Sequence, residues 1–378
     1  MAEKFTVFAY DPNTNTRLAE LPATNLLFDT RLNDAGSISF DLALSAPKTA
    51  ARVAPILSYD GAPFAVYVDR NGTIVWGGLC LTGNYSKATG ALPVQGKEFG
   101  AYFNQRIIAA DYSALTYPGG IDPAQLVYKA YTDAQNVALC GPGASLGINV
   151  VGGSSTIPTF IPGYPITQHT TVSQIAADMA AVSSPGSGTV DVVFLSAWDP
   201  VSGAPVTTLK IWSPRAGRDK NSSPLVFDLA SVNDYTWPTD VTKAGTTFTV
   251  TGAGSGAATP TAVVSSAAPV GGLGQMPRLD QVFSFSNVQS QSQLNLMAAG
   301  LAQAYGFPVR TPTVTLPSVA DPVLGSWMIG DDARLYTAGD ERFPAGKDEF
   351  WRIVQYATKV PDEGVATVTL TFNLPPII

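Results

Sequence analysis

A few residues in this 378-residue chain have side chains in patterns that chemistry uses. Gly143-Ala144-Ser145-Leu146-Gly147 has the G-x-S-x-G spacing of a nucleophile elbow, in which a sharp strand-to-helix turn thrusts a serine out above a sheet. Here the order is reversed: a helical pattern precedes the motif and a β-like Gly-Ile-Asn-Val-Val follows. The base would have to be His169, the single histidine of the chain, and no parallel α/β framework surrounds it. An ordinary glycine loop is the better reading of Ser145, and a loop or helix-cap position the better reading of His169. One histidine, with Cys80 and Cys140 outside any C-x-x-C or H-x-x-x-H spacing, leaves no set of metal ligands. Cys80, in the apolar run GGLCL, reads as a small buried hydrophobe.

Acidic pairs stand at Asp331/Asp332, Asp340/Glu341 and Asp348/Glu349. Glycosidases place two carboxyl groups across a sugar cleft, but these pairs fall at a strand start and in hairpin turns, where Asp and Glu are expected to be solvated. Trp76, Trp198, Trp212, Trp237, Trp327 and Trp351 could stack sugars; most lie in apolar strands, so core packing is the stronger reading. Asn71, Asn84 and Asn221 open N-x-S/T sequons, which carry no meaning without a secretion signal. No catalytic, cofactor-binding or metal-ligating constellation survives, and the chain is expected not to be an enzyme.

The elements around these residues form a pattern of their own. Ala62 to Phe99 runs strand, tight turn, Trp-bearing strand, polar turn, strand, and Gly330 to Phe372 repeats the plan. Trp76 and Trp351 fall in the second strand of each unit, and Tyr85 and Tyr356 follow near that strand's end. Charged residues make up only 13%, Gly (35) and Pro (29) are plentiful, and the length allows two or three cores. That composition favours a β-dominated protein rich in turns. A net charge of -7 without any basic run argues against a dedicated nucleic-acid binder, though it suits a surface that DNA slides past. MAEKFTVFAYDP enters a strand with no signal segment, and no apolar run approaches the roughly 20 residues of a membrane helix. The expectation is a chain folded in a cytoplasm, with no membrane segment.

Along the chain, Ser37 to Leu44 alternates strictly and reads as a half-buried strand, and Asn71-Gly72 between apolar strands signals a hairpin. A first barrel is expected over residues 1–110. Asp122-Pro123 reads as an N-cap and helix-starting proline, opening a helix to about Asn136. Thr171-Val-Ser-Gln174 has capping-box spacing, with Val172, Ile175, Met179 and Val182 on one helical face to Ser184. Strands follow near Val190–Leu195 and Thr207–Trp212. Residues 111–222 are therefore expected to form an inserted α+β domain, its far edge marked by the polar stretch Arg215–Ser223. The β pattern resumes over 223–378, where Thr247 to Thr251 alternates. Gly252 to Gly274 is uncharged and reads as a loop or hairpin excursion, or as a segment that orders against a partner. A helix is expected over 290–305, with Leu294, Met297, Leu301 and Tyr305 in one stripe, and Leu374 to Ile378 as a short tail.

Several stretches carry a family resemblance. FTVFAYDPNTNTRLAEL, FDTRLNDAGSISFDLAL and the strand pair ending IVWGGLCLTG resemble the N-terminal region of minor tail proteins from long-tailed phages of actinobacteria. The later SQSQLNLMAAGLAQAYG, TPTVTLPSVADPVLGSWMIGDDARLY and FWRIVQYATKVPDEGVATVTLTFNLP fit the same pattern. These proteins look related to the baseplate hub shared by contractile and non-contractile tails. The resemblance implies two small antiparallel β-barrels interrupted by an α+β domain, and a homotrimer whose six similar barrels ring a central channel. It implies a structural tail-tip hub joining the hexameric tail tube to the tip, in a virion assembled in the host cytoplasm. The implied partners are the distal tail ring protein, other minor tail or tip proteins, the C-terminus of the tape-measure protein, and DNA in transit. Because the sequence ends at Ile378, host recognition and wall digestion are expected to belong to a partner. The alternative from another class is a carbohydrate-binding or wall-degrading tip protein.

Overall fold

In the computed structural model of the protein, the residues described are 3–57, 63–181, 188–242, 244–265, 277–286, 288, 290–306 and 309–373. The first stretch folds as β1 (Phe5–Tyr10), β2 (Arg17–Leu21), β3 (Thr24–Arg31), β4 (Ser37–Ala43), a helix α1 (Pro47–Leu57), then β5 (Phe64–Arg70), β6 (Thr73–Gly83) and β7 (Ala91–Glu98). Neighbours pair antiparallel in the order β2-β1-β5-β6-β7-β4-β3. The alternation expected for Ser37–Leu44 holds, with Ile38, Phe40 and Leu42 buried and the residues between them partly exposed. Asn71 and Gly72 turn β5 into β6 with φ of 51° and 89°. That primed geometry matches the twist of paired strands, and the Gly72 N–H donates to Asp69 Oδ1 at 2.8 Å.

The middle stretch holds α2 (Gly100–Phe103), α3 (Pro123–Ala134), α4 (Val137–Cys140), β8 (Asn149–Val151), α5 (Val172–Ala181), β9 (Asp191–Trp198) and β10 (Pro205–Trp212). Asp122 caps α3 as its sequence signals, accepting from Ala124 N at 2.7 Å and Gln125 N at 3.1 Å. The box at α5 is half formed. Thr171 Oγ1 accepts from Gln174 N at 3.2 Å, but the Gln174 amide turns away to Asp178 Oδ1 at 2.7 Å. The end of that helix expected over Val182–Ser184 lies outside the described residues. β10 is antiparallel to β9 and parallel to β8.

The last stretch comprises β11 (Val226–Asp228), β12 (Asp234–Thr236), β13 (Thr239–Asp240), β14 (Thr247–Thr251), β15 (Thr261–Ser265), β16 (Asp280–Ser284), α6 (Gln291–Tyr305), β17 (Val309–Arg310), β18 (Thr313–Pro317), β19 (Asp332–Thr337), β20 (Lys347–Val360) and β21 (Thr367–Asn373). The protein is β-dominated, as expected. Its 13-stranded main sheet runs β12-β18-β21-β20-β3-β4-β7-β6-β5-β1-β2, with β19 joining β20 and β11. No closed barrel is found among the described pairings, because no ladder joins β2 to β3. The reason lies in the length of β20. Its 14 residues divide: Lys347–Arg352 pair with β19, and Gln355–Val360 pair with β3. One long strand thereby pairs the edge that each half would otherwise leave open.

Three apolar cores follow from this arrangement. Trp76, Phe28 and Phe40 centre one, and Trp351, Phe227 and Phe372 another. The third gathers α3, α5, β9 and β10 with β14 and α6, including Leu294 and Met297. The helix at 290–305 therefore packs with the helices of the middle stretch and not around Trp351. β5 is buried on both faces, Val66 and Val68 facing the first core and Ala65 and Tyr67 the third. That double burial is why it reads as an unbroken apolar run. Trp76 and Trp351 occupy matching places, each on a strand flanked by two partners. The tyrosine correspondence fails: Tyr85 is exposed beyond the end of β6, whereas Tyr356 lies within β20 and donates to Val75 O at 3.2 Å.

Candidate functional site

The residues with catalytic side chains do not converge. Ser145 sits in a loop, where its Oγ accepts from Gly147 N at 3.1 Å. His169 ends a short 3-10 turn in the left-handed conformation, φ 52°, the cap position expected. Cys80 is buried in the first core, and Cys140 Sγ contacts Asp133 O at 3.4 Å. Asp340 binds its own turn through Arg342 N (2.9 Å) and Phe343 N (2.7 Å) and accepts from the Tyr235 hydroxyl at 2.6 Å. Asp348 pairs with Arg334 on the neighbouring strand at 2.6 and 2.5 Å. Trp76, Trp327 and Trp351 are buried, and Trp198 and Trp237 pack edge-on against Phe8 and Phe343. No shared aromatic platform forms from the tryptophans.

Asp331 and Asp332 overturn the reading of solvated turn acids: they are 0% and 1% exposed. They lie where β19 leaves the loop before it, and the chain after β10 folds onto them. Arg215 donates to both carboxylate oxygens of Asp332, at 2.9 and 2.6 Å, and to Gly330 O. Arg218 pairs with Asp331 through its guanidinium, and its backbone N–H donates to Asp331 Oδ1 at 2.6 Å. That pairing raises the Arg218 pKa above its ordinary value. Arg352, from β20, reaches Gly330 O at 3.1 Å, Ala216 O at 2.8 Å and the buried Asp191 carboxylate at the head of β9. Asp191 also accepts from Ala216 N at 2.7 Å and Asn33 Nδ2 at 3.0 Å.

Charges so placed are tolerated because each is paired and its remaining donors and acceptors are used. The segment 215–218, expected as part of a polar boundary, is thus a clasp, buried at Arg215 and Ala216. It binds β9, the start of β19 and β20 to one another. Two glycines permit the approach: a Cβ on Gly217 would lie 2.1 Å from the carbonyl carbon of Gly330, and both residues have left-handed φ, 77° and 93°.

A second set of buried polar groups sits where β3, β4, β7 and β20 meet. Asp29 accepts from Arg31 Nε (2.8 Å), Ser37 Oγ (2.6 Å) and Gln355 Nε2 (3.0 Å). Glu98 accepts from Thr30 Oγ1 at 2.8 Å and Gly36 N at 2.6 Å. Burial pushes the Glu98 carboxyl up to about 8, with the Asp29 charge adding to the shift. A third joint ties the N-terminus to both halves. Arg70 Nε donates to Glu3 at 2.5 Å, Arg70 Nη2 to Ser318 O at 3.2 Å, and Ser318 Oγ to Glu3 at 2.5 Å. The geometry is that of joints between elements far apart in sequence. Sequence reading missed it because the ion pairs that tie these elements together, from Arg70–Glu3 at 67 positions apart to Arg352–Asp191 at 161, carry no local signal.

No protein-family model matches the chain, and no curated protein matches it. Solved structures do. The chain is similar to the 43 kDa tail protein of prophage MuSo2 from Shewanella oneidensis, with a TM-score of 0.59 and 16% identity over 99% of both chains. It is similar to a prophage tail protein, gp18, from Listeria monocytogenes, with a TM-score of 0.55 and 12% identity over 97% of this chain and 94% of that one. A tail protein from Neisseria meningitidis gives a TM-score of 0.53 and 13% identity over 98% and 96%. The likeness is one of fold, and it extends over nearly the whole length.

Proposed function

We propose that the chain is a structural component of a phage tail, seated at the tail tip as a hub or minor tail protein of a long-tailed phage of actinobacteria. The observation that carries this reading is the fold likeness to three tail proteins along at least 97% of the chain. The buried joints at Asp191, Asp331, Asp332 and Glu98 support it: they tie distant elements together and none is open to a substrate. No catalytic role is proposed.

In this reading residues 1–110 and 223–378 supply two barrel-like hub units around an α+β module at 111–222, with β14 and α6 of the last stretch packed onto that module. Three copies close a ring of six similar units, a natural adapter between a hexameric tube and a threefold tip. The matching places of Trp76 and Trp351 support a repeated unit. The ring would contact the distal tail ring protein above and other tip proteins below, with the end of the tape-measure protein and the DNA in its channel. Its place is the tail tip of the virion, assembled in the host cytoplasm, and the net charge of -7 suits a wall along which DNA must not stick. Gold-labelled antibody against the chain, applied to intact virions, tests the placement. Label confined to the tail tip is the expected result, and label on the capsid or on no virion part overturns it.

A further inference from the structure

We propose that a cleft bounded by the 33–35 turn, α2, the first turns of α5 and β9 binds one uncharged, pyranose-sized sugar residue. This goes beyond the tail-tip reading and does not rest on it. The cleft holds about 200 Å³, room for several waters or one small ligand. One wall is apolar. Val192 and Phe194 project from the same face of β9, and Ala176 and Ala177 of α5 leave the space open opposite them.

Tyr131 points to a ligand. Its side chain lines the cleft yet the residue is only 3% exposed, and no protein group hydrogen-bonds its hydroxyl among the described residues. The ring is fixed edge-on against Phe103 at 4.6 Å and Phe194 at 6.2 Å. The hydroxyl itself is not fully buried, so it is free to meet a group in the cleft, whereas the neighbouring ones are taken up: Tyr112 donates to Asp133 at 2.6 Å and Tyr164 to Asp178 at 2.8 Å. Burial raises the Tyr131 pKa far above its ordinary value, so the hydroxyl keeps its proton and offers both a donor and an acceptor.

The remaining polar groups at the cleft select the ligand class. The Asn104 amide and the Gln174 side-chain carbonyl add further donors and an acceptor. Asp34 is the one charged lining residue, and it is occupied by Arg31 at 3.6 Å and Ala35 N at 2.7 Å. No cation lines the cleft, so a phosphate or carboxylate finds no counter-charge. A ring whose hydroxyls both donate and accept, and whose C–H face is apolar, matches a mixed polar rim on a Phe194 wall.

The test is titration of the full chain with glucose, galactose, arabinose and N-acetylglucosamine, read by saturation-transfer NMR and calorimetry. At least one sugar is expected to bind in the millimolar range. Tyr131→Phe, which removes only the hydroxyl, should weaken it roughly five- to tenfold with an unchanged thermal midpoint. Ala177→Trp, at an exposed helix position on the cleft, should abolish binding while near-UV circular dichroism stays native. Absence of binding by every sugar at tens of millimolar overturns the proposal. So does binding that Tyr131→Phe leaves unchanged. Virion labelling decides the tail-tip reading separately, so the two can fail independently.

Discussion

Arg215 and Asp332, 117 positions apart, form a two-pronged buried pair with nitrogen–oxygen distances of 2.9 and 2.6 Å. The pair fastens the chain leaving β10 to the strand that opens the last sheet segment, and Arg352 and Asp191 extend it to β20 and β9. Breaking one side of such a pair leaves an uncompensated buried charge, which costs about 3–5 kcal/mol. Asp332→Asn is therefore expected to lower unfolding stability by about that amount in urea titration. Replacing both partners, as Arg215→Met with Asp332→Leu, should restore much of the loss. A loss below about 1 kcal/mol for Asp332→Asn would count against a buried clasp.

Gly217 and Gly143 separate strain from crowding. Both have φ of 77°, but a Cβ on Gly217 would strike the Gly330 backbone, whereas one on Gly143 meets nothing within 4 Å. Gly143→Ala should cost about 1 kcal/mol, the strain of a left-handed backbone. Gly217→Ala should cost several times more or prevent folding, measured by thermal unfolding of both variants. Equal costs would show that the close approach at Gly330 contributes nothing.

Glu98 makes stability depend on pH with a defined sign. Its folded pKa of about 8 stands above its ordinary value of 4.5, so between these values the folded chain holds a proton that the unfolded chain has released. The stabilisation is full below about pH 4.5 and falls as pH rises towards 8, by up to about 1.4 kcal/mol per unit. Glu98→Gln cannot ionise and should flatten the decline between pH 5.5 and 8. Parallel stability curves for the two proteins would exclude Glu98 as the source.

Where β9 crosses β6, a Cβ on Gly77 would sit 2.4 Å from Ser196 Oγ. Gly77→Ala should destabilise by about 1–3 kcal/mol through overpacking. Adding Ser196→Ala should recover part of the loss, since it removes the crowding oxygen. Strictly additive losses in a double-mutant cycle would show that the crossing is not in contact there.

Much of the fold was readable where the signal is local. Asp122 before Pro123, Asn71-Gly72, the alternation at Ile38, Phe40 and Leu42, and the strand at Thr247–Thr251 each carry their own pattern. Helix α1 was missed because Pro47 and Pro55 mask an amphipathic stretch whose buried residues are Val53 and Ile56. Of the two readings of the uncharged 252–274 stretch, the hairpin one holds as far as Ser265: β15 lies inside it and pairs antiparallel with β14, although its Gly/Ala/Ser/Thr/Pro surroundings hide the strand from a local reading. The rest of that excursion, 266–274, lies outside the described residues. The joints were the least readable part. Asp331 resembles any turn acid until the chain 113 positions earlier brings Arg218 to it. The division of β20 between two sets of partners is likewise tertiary, which is why two separate closed barrels were expected.

The central claim is assembly into a tail-tip ring, and the most direct measurement is the solution mass and particle symmetry of the purified chain. Light scattering with particle imaging should give three copies in a ring with a central hole and six peripheral lobes. A monomer that stays a monomer at high concentration, and also when mixed with purified tail tubes, would contradict it.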